Sequence, residues 1–279
     1  MAAVGMRGDV VRRAGLALVC AMALAGCATD PLTAAIDDIP ARRSADPAGT
    51  GEALLRTADH SLAAGDASTA AALYSRARLL LPESPEPLLG LGEALVALDA
   101  PEEAAQAFRG ALARGPELAA ARNGLGRSLL ALDQPVMAQG QFEAVLEIEG
   151  EDVRALSGLG TALDMIGDHR SAQRLYRRAL EVDAGNLGVL NNLGLSFALS
   201  GDFGAAIETL RGVVADPAAT ARHRQNLALV LGVAGQPQDA AAVARLDLGE
   251  REVQQQLAYY AILRDRIASG DTGGVLGGR

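Results

Sequence analysis

Gly92, Gly126, Gly160 and Gly194 stand 34 residues apart, each directly after a leucine, and Ala58 and Ala228 extend the series by one step at either end. The large residues Tyr74, Phe108, Phe142, Tyr176 and Leu210 keep the same interval. So do two rows of small side chains: Ala70, Ala104, Ala138, Ala172 and Ala206 precede the large residues by four, and Ala77, Ala111, Val145, Ala179 and Val213 follow them by three. Self-similarity at a fixed period of about 20 to 50 residues marks a stacked-repeat architecture. Offsets of three and four put the small and large residues on one helix face. Gly65, Gly167 and Gly201, in "AAGDAST", "MIGDHRS" and "LSGDFGA", fall where a left-handed residue ends a helix, and Asp66, Asp168 and Asp202 are placed to cap the next one. A composition that is 49% hydrophobic but only 3% aromatic, without Trp, suits helices that approach closely.

These features resemble the tetratricopeptide repeat, in which each unit is two antiparallel helices. The Leu-Gly pair of the first helix and the Ala of the second let the backbones approach, and the large residue fills the gap. The expected fold is an all-α tetratricopeptide solenoid of about six units, at 51–84, 85–118, 119–152, 153–186, 187–220 and 221–248. The sixth departs from the pattern: Ala244 replaces the large residue and Asp247 stands where a small apolar one belongs. Residues 249–269, with Val253, Leu257, Tyr260, Ala261 and Arg264 at helical spacing, predict a C-terminal capping helix over the exposed end of the array 51–248. The Gly-rich stretch 270–279 predicts a disordered tail.

At the other end, the apolar run from Ala14 to Gly26 is 13 residues long, short of the roughly 20 that cross a bilayer as a helix. With Arg7, Arg12 and Arg13 before it, the segment reads as a secretory signal. Leu24-Ala25-Gly26-Cys27 resembles the lipobox of bacterial lipoproteins, which implies that 1–26 is a removed signal peptide and that Cys27 is diacylated as the mature N-terminus. The other reading is an ordinary signal with an incidental cysteine. Cys20 lacks the small residue required before the cut and leaves with the signal, so no thiol pair remains for a disulfide or metal site. Two or three acyl chains anchor a protein stably where one does so marginally. In Gram-negative lipoproteins an aspartate directly after the cysteine signals inner-membrane retention; Ala28 stands there, which implies the periplasmic face of the outer membrane. Residues 27–50, with Pro31, Pro40 and Pro47, read as a lipidated N-terminus and disordered tether.

The formal charge is −9, about −11 without residues 1–26, which hold three arginines and one aspartate. Such a surface repels phosphate backbones, so nucleic acid is not an expected partner. His60, His169 and His223 have no second ligand at i+4 and read as solvated or edge residues, so no metal is expected. The "GLSFA" around Ser196 lacks the strand that a nucleophile elbow needs, and the glycines of "GLGTAL" and "GLGRSL" are already explained by helix packing. Neither a catalytic site, a cofactor nor a small-molecule substrate is expected; the chain reads as a binding protein, not an enzyme.

In tetratricopeptide arrays the first helices line a concave groove. By that resemblance Asn123, Arg127, Asn191, Asn192, Arg222, Gln225 and Asn226 lie along it, over an apolar floor of Leu55, Leu62, Leu89, Val96, Leu130, Met165, Leu195 and Leu229. Side-chain amides offer a donor and an acceptor to an extended peptide, and Asn is a poor helix former, so a peptide-binding amide ladder is one reading. Tolerance of Asn at any solvent-facing position is the other.

The lipobox, proline-containing tether, repeats, and the stretch "RHRQNLALVLGVAGQPQDAAAVARLDL" followed by "QQLAYYAILR" resemble the TadD family, tetratricopeptide lipoproteins of Tad (Flp, type IVc) pilus assembly. The resemblance implies an outer-membrane scaffold with a protein partner, the pilus secretin or another Tad component. A general periplasmic scaffold or chaperone for envelope biogenesis is the alternative. An enzyme with accessory repeats finds no segment left to hold its active site.

Overall fold

The computed structural model describes residues 47–269. The signal 1–26, Cys27, the tether up to Asp46 and the tail 270–279 lie outside the described residues. Six helix pairs follow in order: α1 (Pro47–Ala63) and α2 (Ala67–Leu80), α3 (Glu86–Ala97) and α4 (Pro101–Leu112), α5 (Ala119–Ala131) and α6 (Pro135–Ile148). Then come α7 (Val153–Met165) and α8 (His169–Val182), α9 (Leu187–Leu199) and α10 (Phe203–Ala215), α11 (Ala221–Val233) and α12 (Pro237–Ala244), with α13 (Glu250–Ala268) last. No strand occurs among the described residues, and no helix there is long and apolar enough to cross a membrane. The first helix starts at Pro47, inside the stretch expected to be tether. Proline suits a first helical turn, where its missing N–H has no partner to lose and its φ is already helical.

The turn inside each unit is built at one repeating position. Gly65, Gly167, Gly201 and Gly235 take positive φ of 82 to 88°, and Asp99 and Asp133 take the same left-handed place at 56° and 57°. Aspartate tolerates that region better than most residues. The next helix is then started in one of two ways. Asp66, Asp168 and Asp202 accept the backbone N–H of Thr69, Ser171 and Ala205, while α4, α6 and α12 open on Pro101, Pro135 and Pro237 instead.

Each helix packs on its sequence neighbours, and the first helices also touch from unit to unit: α1 on α3, α3 on α5, α5 on α7, α7 on α9, α9 on α11, and α11 on α13. Second helices do not pack on one another to that extent among the described residues, so the first helices form the inner layer of a solenoid. Tyr74, Phe108, Phe142, Tyr176 and Leu210 are buried, Phe108 and Phe142 completely, each contributing about 1.5–3 kcal/mol by the removal of a large apolar group from water.

Two glycine rows make room for them. A Cβ on Gly92 would stand 2.6 Å from the Phe108 ring, and one on Gly126 2.5 Å from Phe142. The residue two positions before each packs on the preceding unit: a Cβ on Gly90, Gly124 or Gly158 would overlap Tyr74, Phe108 or Phe142. Phe108 and Phe142 are thus each held between their own unit and the next. In the fifth and sixth units Asn192 and Asn226 stand in this second row.

The irregular sixth unit is completed from outside it. α12 is only eight residues long, and Tyr260 of α13 lays its ring over Gly232 of α11, one turn beyond the position that the large residues cover in the other units. Asp247 binds Arg224 of α11 through both carboxylate oxygens at 2.6 and 2.8 Å. Val253, Tyr260 and Leu263 bury the inner face of α13.

Candidate functional site

The inner layer formed by α1, α3, α5, α7, α9 and α11 carries the residues expected to meet a partner, but not all face outward. Asn123 is 4% and Asn191 6% exposed. Asn123 Nδ2 donates to Asp152, the residue that caps α7, at 3.1 Å. Asn191 Oδ1 accepts from Asn226 Nδ2 at 2.9 Å. These two side chains point along the stack towards the neighbouring helix, so their amides are used in joining units. Asn192 Nδ2 reaches Ser157 Oγ at 3.3 Å, and Arg127 is ion-paired with Glu93 at 2.7 Å. Asn192, Gln225 and Asn226 are half-buried, and Arg127 and Arg222 are exposed. The row is therefore mainly glue between first helices, with Arg127, Asn192, Arg222, Gln225 and Asn226 still reaching the surface. Of the apolar floor, Met165 is 42% exposed and Leu195 is half-buried; both border the cleft below.

A cleft of about 570 Å3 opens at the fourth and fifth units, within the size range of roughly 300–1,000 Å3 typical of ligand sites. Its polar lining is Asp133, Thr161, Asp164, His169, Tyr176 and Asn192; its apolar walls include Met165, Leu195, Leu199, Phe203 and Ile267. Ile267 comes from the last turn of α13, so the cap also closes one side of the cleft.

Asp164 is the centre of this lining. Its side chain is 8% exposed. Oδ1 accepts from Ser196 Oγ at 2.7 Å and lies 2.9 Å from His169 Nδ1, and Oδ2 accepts from the Tyr176 hydroxyl at 3.0 Å. Burial pushes its pKa up, against the three hydrogen bonds that favour the carboxylate. Burial and the neighbouring Asp164 charge push the Tyr176 phenol up, so it stays a donor at ordinary pH. His169 is consequently bound to a carboxylate rather than solvated. His223 accepts the N–H of Thr220 at the start of α11, and His60 is exposed.

Ser196, Asp164 and His169 do not form a nucleophilic triad. In a triad the histidine lies between serine and acid and takes the serine proton; here serine and histidine both bind the same acid, so the histidine does not stand between them. No group of His, Cys, Asp and Glu suited to a metal ion occurs among the described residues. What the arrangement offers is hydrogen-bond acceptance inside an apolar-walled cleft.

The period itself carries a signal for this cleft. Leu62, Val96, Leu130, Asp164, Ala198 and Gly232 share one repeat position, and Asp164 is the single charged residue among them. Ser196, buried at 0% exposure, and His169 join it only through the turn and stack geometry, which the sequence does not display.

Residues 55–119, 89–136 and 159–221 match the tetratricopeptide repeat family, together more than half of the chain, which therefore belongs to that family. A tetratricopeptide repeat protein from Parabacteroides merdae ATCC 43184 superposes with a TM-score of 0.66 at 17% identity, over 82% of this chain and 90% of that one. PilW, described as a widely conserved type IV pilus biogenesis factor, superposes at 0.65 with 20% identity, over 75% of this chain and 98% of its own. PilF of Pseudomonas aeruginosa gives 0.59 at 17% identity, over 76% and 98%. At these identities the likeness is one of fold. No curated protein matches the chain.

Proposed function

We propose that the protein is a non-enzymatic scaffold, held by a lipid on Cys27 at the periplasmic face of the outer membrane, that binds a protein partner in the assembly of a Tad-type pilus, the secretin first among candidates. The observation that carries the binding role is the inner layer of first helices with its acceptor-lined cleft across the fourth and fifth units. The pilus assignment is supported by the resemblance of the C-terminal third to the TadD family and by the shared fold of PilW and PilF. Arg127, Asn192, Arg222, Gln225 and Asn226 are the residues offered to the partner. A lipid anchor raises the effective concentration of the scaffold near a membrane-bound partner, so a weak second contact suffices.

Co-purification of the secretin with the scaffold from membranes is the deciding measurement. Its absence under mild detergent refutes the secretin as partner. Separately, Cys27→Ala should release the protein from the outer-membrane fraction; retention after a high-salt wash refutes the anchor.

A further inference from the structure

The geometry points to a cationic side chain, arginine or lysine, of the bound polypeptide as the occupant of the cleft. This deepens the binding reading above and rests on it. Asp133 and Asp164 both line the cleft, Thr161, Tyr176 and Asn192 add two hydroxyls and an amide, and the one basic side chain of the lining, His169, is already turned onto Asp164 Oδ1. Asp164 is satisfied by three donors, but Oδ2 receives only the Tyr176 hydroxyl and an ionised carboxylate has about four acceptor positions. An incoming N–H group finds a place there. An anion would face two carboxylates, and a wholly apolar side chain would cover Asp133 and Asp164 without supplying a donor or a charge. A long basic side chain satisfies both parts: its methylenes lie along Leu195, Leu199, Phe203 and Ile267 while its charged end reaches Asp164. Burial already disfavours the Asp164 charge, so a cation arriving beside it is matched by more than a surface carboxylate would give. The recognised segment therefore carries Arg or Lys next to apolar residues.

Methionine methyl resonances give a direct readout, because Met165 borders the cleft and Met137 is exposed on α6, outside its lining. The full chain, labelled at methionine methyls and assigned with Met165→Leu, is titrated with the N-acetyl methylamides of arginine, lysine, norleucine and glutamate. The arginine and lysine compounds should shift Met165 saturably and leave Met137 in place, with affinity about tenfold above norleucine. Asp164→Asn should remove that preference. Asp133→Asn, which keeps a residue tolerant of left-handed backbone, should weaken it about threefold and decides the matter if Asp164→Asn does not fold. Equal binding of norleucine, preference for glutamate, no binding at all, or a preference untouched in every folded variant overturns the assignment. The probes are free amino-acid derivatives, so these outcomes stand apart from secretin co-purification: either claim can fail alone.

Discussion

Phe108 is gripped by glycines of two different units, Gly92 and Gly124, and this double contact decides what each position tolerates. Gly124→Ala should drive a methyl group into the ring and cost about 1–3 kcal/mol in denaturant unfolding. Gly140 is also in a helix, yet its Cβ would meet nothing within 4 Å, so Gly140→Ala should stabilise by about 0.5–1 kcal/mol. Shifts of the same sign in both variants would disprove this account of the two glycines. The Leu-Gly and large-residue rows were legible in the sequence because both contacts lie within one unit. The row Gly90, Gly124 and Gly158 repeats just as visibly, but its role is a contact with the preceding unit that only the stack supplies. The same fact explains Asn123 and Asn191: a fraction of a helical turn separates a groove position from one facing the next first helix, and the period does not resolve it.

At the scale of elements, the ends of α13 and its neighbours are where pH acts. Arg245, followed by Gln254, pulls the Glu250 carboxyl down from an ordinary 4.5 to about 2. Arg224 likewise holds Asp247 below the carboxylate range. A lowered folded pKa gives stability that is complete above the unfolded value and is lost as pH falls through the folded one. The joint between α12 and α13 should therefore loosen between about pH 4.5 and 2, read from the near-ultraviolet dichroism of Tyr259 and Tyr260. Arg245→Gln should flatten that transition; an unchanged acid limb would show that the pair contributes nothing. Asp164 runs the other way, since its raised pKa makes ionisation cost stability as pH rises through it. The capping aspartates were readable from the turn motifs. The proline-started helices carry no such side chain, because α4, α6 and α12 begin on a residue already fixed in helical φ.

For the molecule as a whole, the cap is structural and functional at once. Ending the chain after Leu248 would uncover Val233, which packs on Leu263, and Gly232, which the Tyr260 ring covers. Such a truncation should lower the melting temperature and cause association, visible by size-exclusion chromatography; a monodisperse product with unchanged melting would mean the array caps itself. It would also remove Ile267 from the cleft wall. That a helix follows the last repeat unit was legible from its spacing. That the helix returns to the cleft was not, since no periodicity encodes where a non-repeating element lies.

The alternation of rings and glycines also determines how the chain can be lengthened or shortened. Removing residues 119–152 brings Phe108 against Gly158 in place of Gly124, a like-for-like exchange. Removing residues 153–186 instead puts Leu130 in the repeat position of Asp164 and leaves the fully buried Ser196 hydroxyl without that acceptor. The first excision should yield a cooperative, folded protein and the second a less stable one, compared by thermal melting of chains of equal length. A repeat is thus lost most easily where a ring meets glycine on both sides of the joint. The unit that holds Asp164 has no equivalent elsewhere in the array to stand in for it.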